Sequence, residues 1–240
     1  MPVEFLSVAD RRLAYQRQVG RAGLVFLGGY ASDMDGTKAT CLAERCAEAG
    51  IACLRFDYRG CGQSSGNFTD GTIGAWRDDS LAVFDALTEG PQIVVGSSMG
   101  GWLGLLLAQA RPERVKAFVG VAAAPDFTED LVWDKLTDAQ RETLKRDGEI
   151  REEGGHAPMT LKLIEEARRH LILRTPFALP CPARLLQGMK DTEVPWDYAL
   201  RIAQHIAQDD ARVTLVKNGD HRLSAPEDLA LLWGAVSEFL

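Results

Sequence analysis

One pentapeptide, Gly96-Ser97-Ser98-Met99-Gly100, restricts the fold of this chain more than any other stretch. Ahead of it runs Ile93-Val94-Val95, an apolar segment of the kind that forms a short buried strand. Behind it, the run from Trp102 to Ala108 has the composition of a mostly buried helix. A serine at the centre of G-x-S-x-G, between strand and helix, sits at a sharp bend with its hydroxyl exposed. Glycines on both sides let the strand turn abruptly and keep Cβ atoms off neighbouring backbone. In that arrangement the Met99 amide faces an oxygen that becomes negative during acyl transfer. A plain Gly/Ser turn is the alternative for the pentapeptide alone, and partners elsewhere in the chain decide between the two.

Strand and helix alternate on either side of this turn. Glu4–Val8 and Arg12–Arg17 form two strands joined by a polar link, a hairpin pattern. Leu24–Leu27 is an apolar strand that ends in the loop Gly28-Gly29-Tyr30. That loop lacks the G-x-x-x-x-G-K-[ST] and G-x-G-x-x-G phosphate motifs, so its glycines fit a backbone that closely approaches a substrate. A helix is expected over Thr37–Glu48, stopped by Gly50, and a strand over Ile51–Phe56. In the next loop Asp57 and Arg59 are placed to pair, in a structural role. Trp76–Leu87 is a helix and Val115–Val121 a strand. Repeated strand–helix units with continuously apolar strands predict a mostly parallel sheet covered on both faces. A length of 240 residues suits one sizeable core, hence a single domain over 1–240.

The alternation breaks between residues 124 and 176. Helical pieces are expected at Asp126–Leu131, Thr137–Arg146 and Thr160–His170, with a charged, glycine-containing link at 149–156. The stretch is too long for an ordinary helix-to-strand connection, and a small helical cap over the strand ends is the economical interpretation. Ala183–Gln187 restores the strand, followed by the loop 188–195, a helix within Trp196–Gln208, a last strand at Val213–Val216 and a closing helix over Pro226–Leu240.

Charge and cysteine usage narrow the function classes. A net charge of −7 disfavours a general nucleic-acid surface. The five cysteines are odd in number and irregularly spaced, which fits reduced thiols in a cytoplasmic setting and gives no zinc pattern. No segment has the length and apolarity of a membrane span or the pattern of a signal peptide. No cofactor and no metal are expected, and the chain is expected to be a monomer or small homo-oligomer.

A serine becomes a useful nucleophile only with a base, and the base needs a group that fixes its tautomer. In parallel α/β sheets such groups gather beyond the carboxyl ends of the strands. Ser98, Asp191 and His221 each follow a strand, in the order serine, acid, histidine expected of an α/β-hydrolase. His221 is the expected base, because the other histidines, His156, His170 and His205, fall in helical or cap segments. Asp191 is the expected orienting acid, with Glu193 its rival in the same loop. Asp220, beside the histidine, is expected to point away from it. The oxyanion hole combines the Met99 amide with one from the loop after Leu27, that of Tyr30 or, close behind, Gly29. Gly29, Trp102, Phe127 and Leu161 are expected to contact substrate.

The segments Leu27-Gly28-Gly29-Tyr30, Phe56-Asp57-Tyr58-Arg59-Gly60, Gly96 to Trp102, Gly188-Met189-Lys190-Asp191 with Val194-Pro195-Trp196, and Asp220-His221-Arg222 resemble the α/β-hydrolase family of abhydrolase domain-containing protein 10. The resemblance runs from Leu24 to the C-terminus. It implies a palmitoyl-protein thioesterase or acyl-glucuronide esterase, with Ser98 matching the nucleophile, Asp191 the acid and His221 the base. Tyr30 matches a tyrosine of the oxyanion loop, and Gly28 stands where the family has a proline. The mammalian mitochondrial leader is missing, which fits a bacterial, cytoplasmic member.

The expected activity is therefore hydrolysis of a small-molecule or lipid-derived ester or thioester, an acylated protein among the candidates. Carbon–carbon bond hydrolysis or peracid formation on the same triad is the enzymatic alternative. A hydrolase-like scaffold that only binds ligand is the non-enzymatic one.

Overall fold

Alternate side chains of the central strands bury against two different layers of helix. A computed structural model of the chain describes residues 2–151 and 157–240. The strands are β1 (Glu4–Val8), β2 (Arg11–Gln18), β3 (Arg21–Leu27), β4 (Ile51–Phe56), β5 (Gln92–Ser97), β6 (Val115–Val121), β7 (Glu149–Ile150), β8 (Met159–Thr160), β9 (Ala183–Gly188) and β10 (Ala211–Val216). The α-helices are α1 (Thr37–Ala49), α2 (Ile73–Leu87), α3 (Met99–Ala110), α4 (Asp138–Asp147), α5 (Leu161–Ala167), α6 (Asp197–His205) and α7 (Pro226–Ser237). Eight strands form one sheet in the order β1-β2-β4-β3-β5-β6-β9-β10. Pairing is antiparallel for β1–β2 and β2–β4 and parallel from β4 onward. This is the mostly parallel, helix-flanked sheet of the α/β-hydrolase fold.

Period-two alternation divides the core. Val25, Leu27 and Val94 pack with Trp76 and Phe84 of α2 and Leu103 of α3. Leu24, Phe26, Ile93 and Val95 pack on the other face with Leu42 and Cys46 of α1 and Leu232 and Val236 of α7. Register then sets where the loops emerge. Leu27 lies beside Gly96, Gly96 beside Gly120, and Val216 beside Gly188. The connections after β3, β5, β9 and β10 thus leave one edge of the sheet together.

Between β6 and β9 the chain makes a π-helical turn (Thr128–Val132), a 3-10 turn (Trp133–Lys135), α4, the antiparallel pair β7–β8, α5 and a 3-10 turn at Arg168–His170. A capping box starts α4: Thr137 Oγ1 accepts from the Gln140 amide, and Gln140 Oε1 from the Thr137 amide. Thr160 Oγ1 caps α5 by accepting from the Leu163 amide. The expected helix at Asp126–Leu131 is instead the π-helical turn, entered through Asp126 at a φ of 62°. Of the expected link at 149–156, residues 152–156, His156 among them, lie outside the described residues. The α2 helix begins earlier than its hydrophobic pattern suggests, because Thr72 Oγ1 caps it at the Ala75 amide.

The expected Asp57–Arg59 pair is replaced by two separate arrangements. Asp57 accepts from the amides of Met34 and Gln63 at 2.7 and 2.8 Å, joining the loops after β3 and β4. Arg59 turns instead to Asp79 of α2, which is fully buried and accepts from Arg59 Nε and Nη2 and from Arg11 Nε at 2.7–2.9 Å. A carboxylate so enclosed requires its cationic partners, which the solvent-facing side of the loop would not supply. Asp79→Ala is expected to destabilise the fold by about 3 kcal/mol, the low end for breaking a buried pair, since both guanidinium groups reach solvent. Urea unfolding measures this, and a loss under about 1 kcal/mol, as for surface pairs, would show that the cluster holds nothing in place.

Candidate active site

Strand β5 ends at Ser97 and α3 begins at Met99, so Ser98 alone makes the turn between them. Its backbone has φ 53° and ψ −121°. A side chain held in such a region costs on the order of 1–3 kcal/mol and persists only where its surroundings fix it. Here the Ser98 amide donates to the Val121 carbonyl at 2.9 Å, and the Ser98 carbonyl accepts from Gly101 and Ala124 amides at 2.8 and 3.1 Å. A Cβ on Gly100 would lie 2.1 Å from the Leu27 carbonyl oxygen, and one on Gly96 2.3 Å from that of Gly100. Gly100 therefore serves close approach to β3 and Gly96 close approach to α3, and the strained angle falls on the serine itself.

His221 stands between Ser98 and Asp191. Its Nε2 is 3.1 Å from Ser98 Oγ and its Nδ1 is 2.8 Å from Asp191 Oδ2. The two rival acids of this loop meet different edges of the ring. Glu193 Oε2 lies 3.4 Å from Nε2, on the side that faces the serine, while Asp191 takes Nδ1. The carboxylate of Asp220 accepts from the amides of Arg222 and Leu223 at 3.0 and 2.9 Å, so it shapes the histidine loop from within. Lys38 of α1 ties that loop down by donating to the Arg222 carbonyl.

Asp191 is saturated with donors. Its Oδ1 accepts from the amides of Glu193 and Val194, and its Oδ2 from His221 and from Gln187 Nε2 at 2.8 Å. Burial opposes its ionisation, but the hydrogen bonds from His221, Val194 and Glu193 and the imidazole's charge outweigh that and hold the carboxyl below its usual range. Gln187, on β9, also donates to the Val194 carbonyl at 3.1 Å and is fully buried. The sequence reading passed over it. Its one signal was a polar residue at the end of the apolar run Leu185-Leu186, four positions before the acid.

The loop after β3 presses against Ser98. A Cβ on Gly29 would be 3.3 Å from Ser98 Cβ. The Met99 amide stands at the first position of α3, where no intrahelical acceptor exists. Neither it nor the Tyr30 amide has a hydrogen-bond partner among the described residues. The Tyr30 hydroxyl donates to the Pro158 carbonyl at 2.6 Å, and burial pushes its pKa up, so it stays a donor. Its ring packs against Phe68, Trp76 and Phe127 at centroid distances of 5.0, 5.9 and 6.0 Å. Trp102 is fully buried, edge-on to Phe127, with its indole donating to the His170 carbonyl. Leu161 faces elsewhere: it lines a surface cavity of about 470 Å³ with Lys162, Glu165, Glu166 and Arg169, apart from Ser98 and His221.

Residues 24–151 match the alpha/beta hydrolase fold family. The chain is similar to the palmitoyl-protein thioesterase ABHD10, mitochondrial, of Bos taurus, at 41% identity over 99% of this chain and 80% of the relative. Among solved structures it is similar to mouse alpha/beta hydrolase domain-containing protein 10, at 39% identity and a TM-score of 0.93, covering 99% of this chain and 98% of that one. A protein from Agrobacterium vitis S4 matches with 38% identity and a TM-score of 0.93 over 100% of this chain and 99% of that one. The bovine, mouse and human relatives carry a mitochondrial location in their names, which overturns the expected cytoplasmic setting. The described cysteines are all free, which names no compartment. No described helix is long and apolar enough to cross a membrane. The chain belongs to the α/β-hydrolase family, in its ABHD10-like branch, and is a serine hydrolase of the esterase and thioesterase type.

Proposed function

We propose that this chain hydrolyses long-chain acyl thioesters, acylated proteins among them, and related carboxylic esters through an acyl-enzyme on Ser98. The observation that carries this reading is the unbroken contact chain from Ser98 Oγ through His221 to Asp191, at 3.1 and 2.8 Å. His221 Nε2 takes the hydroxyl proton as Oγ attacks the carbonyl, and the amides of Met99 and Tyr30 stabilise the resulting oxyanion. The C–S or C–O bond then breaks, and Nε2–H passes its proton to the leaving thiol or alcohol. Water attacks the acyl-enzyme with the same histidine as base, and the acid departs. Asp191 keeps Nδ1 protonated, so that Nε2 is the free acceptor. The thioester preference follows the name of the mammalian relatives, and a bacterial source fits the Agrobacterium vitis likeness.

Residues 124–176 serve in this proposal as a cap within one domain over 1–240. Phe127 lies against Tyr30, and Pro158 receives the Tyr30 hydroxyl, so the segment borders the oxyanion side of the site. Such a cap selects the acyl group and leaves the chemistry to the sheet.

Fluorophosphonate labelling followed by peptide mass spectrometry is expected to place the adduct on Ser98, and Ser98→Ala to lower kcat at least ~10⁴-fold. An adduct on Ser97 would reassign the nucleophile. Asp191→Asn is expected to lose about 10⁴-fold in kcat with the fold intact. Gln187→Leu removes one hydrogen bond to a charged group, about 1.5–3 kcal/mol, and should cost about 10- to 100-fold. If Gln187→Leu changes thermal stability but not kcat, Gln187 packs the loop without orienting the acid. With a soluble thioester series, kcat/KM is expected to rise up to about fourfold per added methylene until the pocket fills. Phe127→Trp should shorten the preferred chain, whereas an equal effect on every length would make the segment structural only.

A further inference from the structure

We infer that Glu193 selects substrates by the charge of the leaving group, disfavouring anionic thiols and alcohols and favouring neutral or cationic ones. The inference rests on the acyl-transfer reading above and adds the leaving group's character to it. Glu193 Oε2 lies 3.4 Å from His221 Nε2, the same nitrogen that Ser98 Oγ approaches to 3.1 Å. Nε2–H must deliver its proton to the leaving sulfur or oxygen, so that atom comes within hydrogen-bond reach of Nε2. The first substituents of the leaving group then pass beside the Glu193 carboxylate.

The backbone that carries this carboxylate is fixed from below. The Glu193 amide donates to Asp191 Oδ1 at 2.9 Å, and the next amide, that of Val194, does so at 2.8 Å. Glu193 therefore rides on the loop that aligns the imidazole, while 62% of its side chain faces solvent. Among the described residues the one basic side chain within 4 Å of its carboxylate is His221, which carries charge only while it holds the proton taken from Ser98. Lys38 on α1 is offset by Asp220 and Asp228. Asp191 is screened by its four donors. A negative group about 5 Å from Glu193 would be disfavoured roughly fourfold in a water-like medium, and by more in a partly dry cleft. Thiols set in basic or neutral peptide surroundings are thus the preferred leaving groups. Leaving groups that carry a carboxylate are disfavoured, which sets the thioester activity above the acyl-glucuronide one among the two that the family resemblance implies.

The test uses butyryl thioesters of three thiols, 3-mercaptopropionate (anionic), N-acetylcysteamine (neutral) and thiocholine (cationic), which share one acyl group. In the wild type, kcat/KM is expected to rise from anionic to neutral to cationic, with the spread shrinking at high salt. Glu193→Gln should lower the neutral-to-anionic ratio about 4- to 15-fold, and Glu193→Lys should reverse the order. An unchanged ratio in both variants, with Ser98 still labelled by a neutral fluorophosphonate, would overturn the inference and leave the acyl-transfer reading standing. Loss of Ser98 labelling in the wild type would instead remove the reading on which it rests.

Discussion

The turn at Ser98 is the constraint around which the rest of the molecule is assembled. One residue must reverse the chain from strand to helix, and it does so at a φ of 53°. No local preference of serine favours that angle. It persists because β6 supplies the Val121 carbonyl, the chain beyond β6 supplies the Ala124 amide, and Leu27 of β3 sits where any side chain on Gly100 would collide. The central strands on both sides of β5 thereby grip the turn. Packing of the sheet is in this sense what holds Ser98 at its turn.

Two buried carboxylates show contrasting uses of charge. Asp79 is surrounded by guanidinium groups and fastens β2, the loop after β4 and α2 to one another. Asp191 has no full cation beside it except the imidazole when that is protonated. Neutral donors from the backbone and Gln187 solvate it instead. A fixed cation beside Asp191 would compete with the imidazolium for its charge. Amide dipoles stabilise the carboxylate and leave its response to His221 available.

Most of the sheet was legible in the sequence, because continuously apolar strands between amphipathic helices admit few other folds. Ser98, Asp191 and His221 were legible as candidates for a related reason: each follows a strand, and parallel strands release their loops at one edge. Less was legible wherever a side chain chose between partners. Arg59 had Asp57 two residues away, yet it pairs with Asp79, which is brought to it only by the packing of α2. Gln187 lies inside a strand, where periodicity says which face a residue takes but not what it touches. Leu161 had the apolar character of a pocket residue, but Leu163, Ile164 and Ala167 take the buried positions of α5 and leave Leu161 at a different surface. Compartment was illegible for another reason, since thiol usage reports redox state and nothing about address.

Tyr30 has a consequence of a different kind. Its loop lies against the turn at Ser98 through Gly29, while its hydroxyl is fastened to Pro158, in the segment between β6 and β9. A rigid aromatic ring joins the two ends. The loop beside Ser98 and the chain beyond β6 are thereby bound into one unit, so a change at Tyr30 would loosen two walls around Ser98 at once.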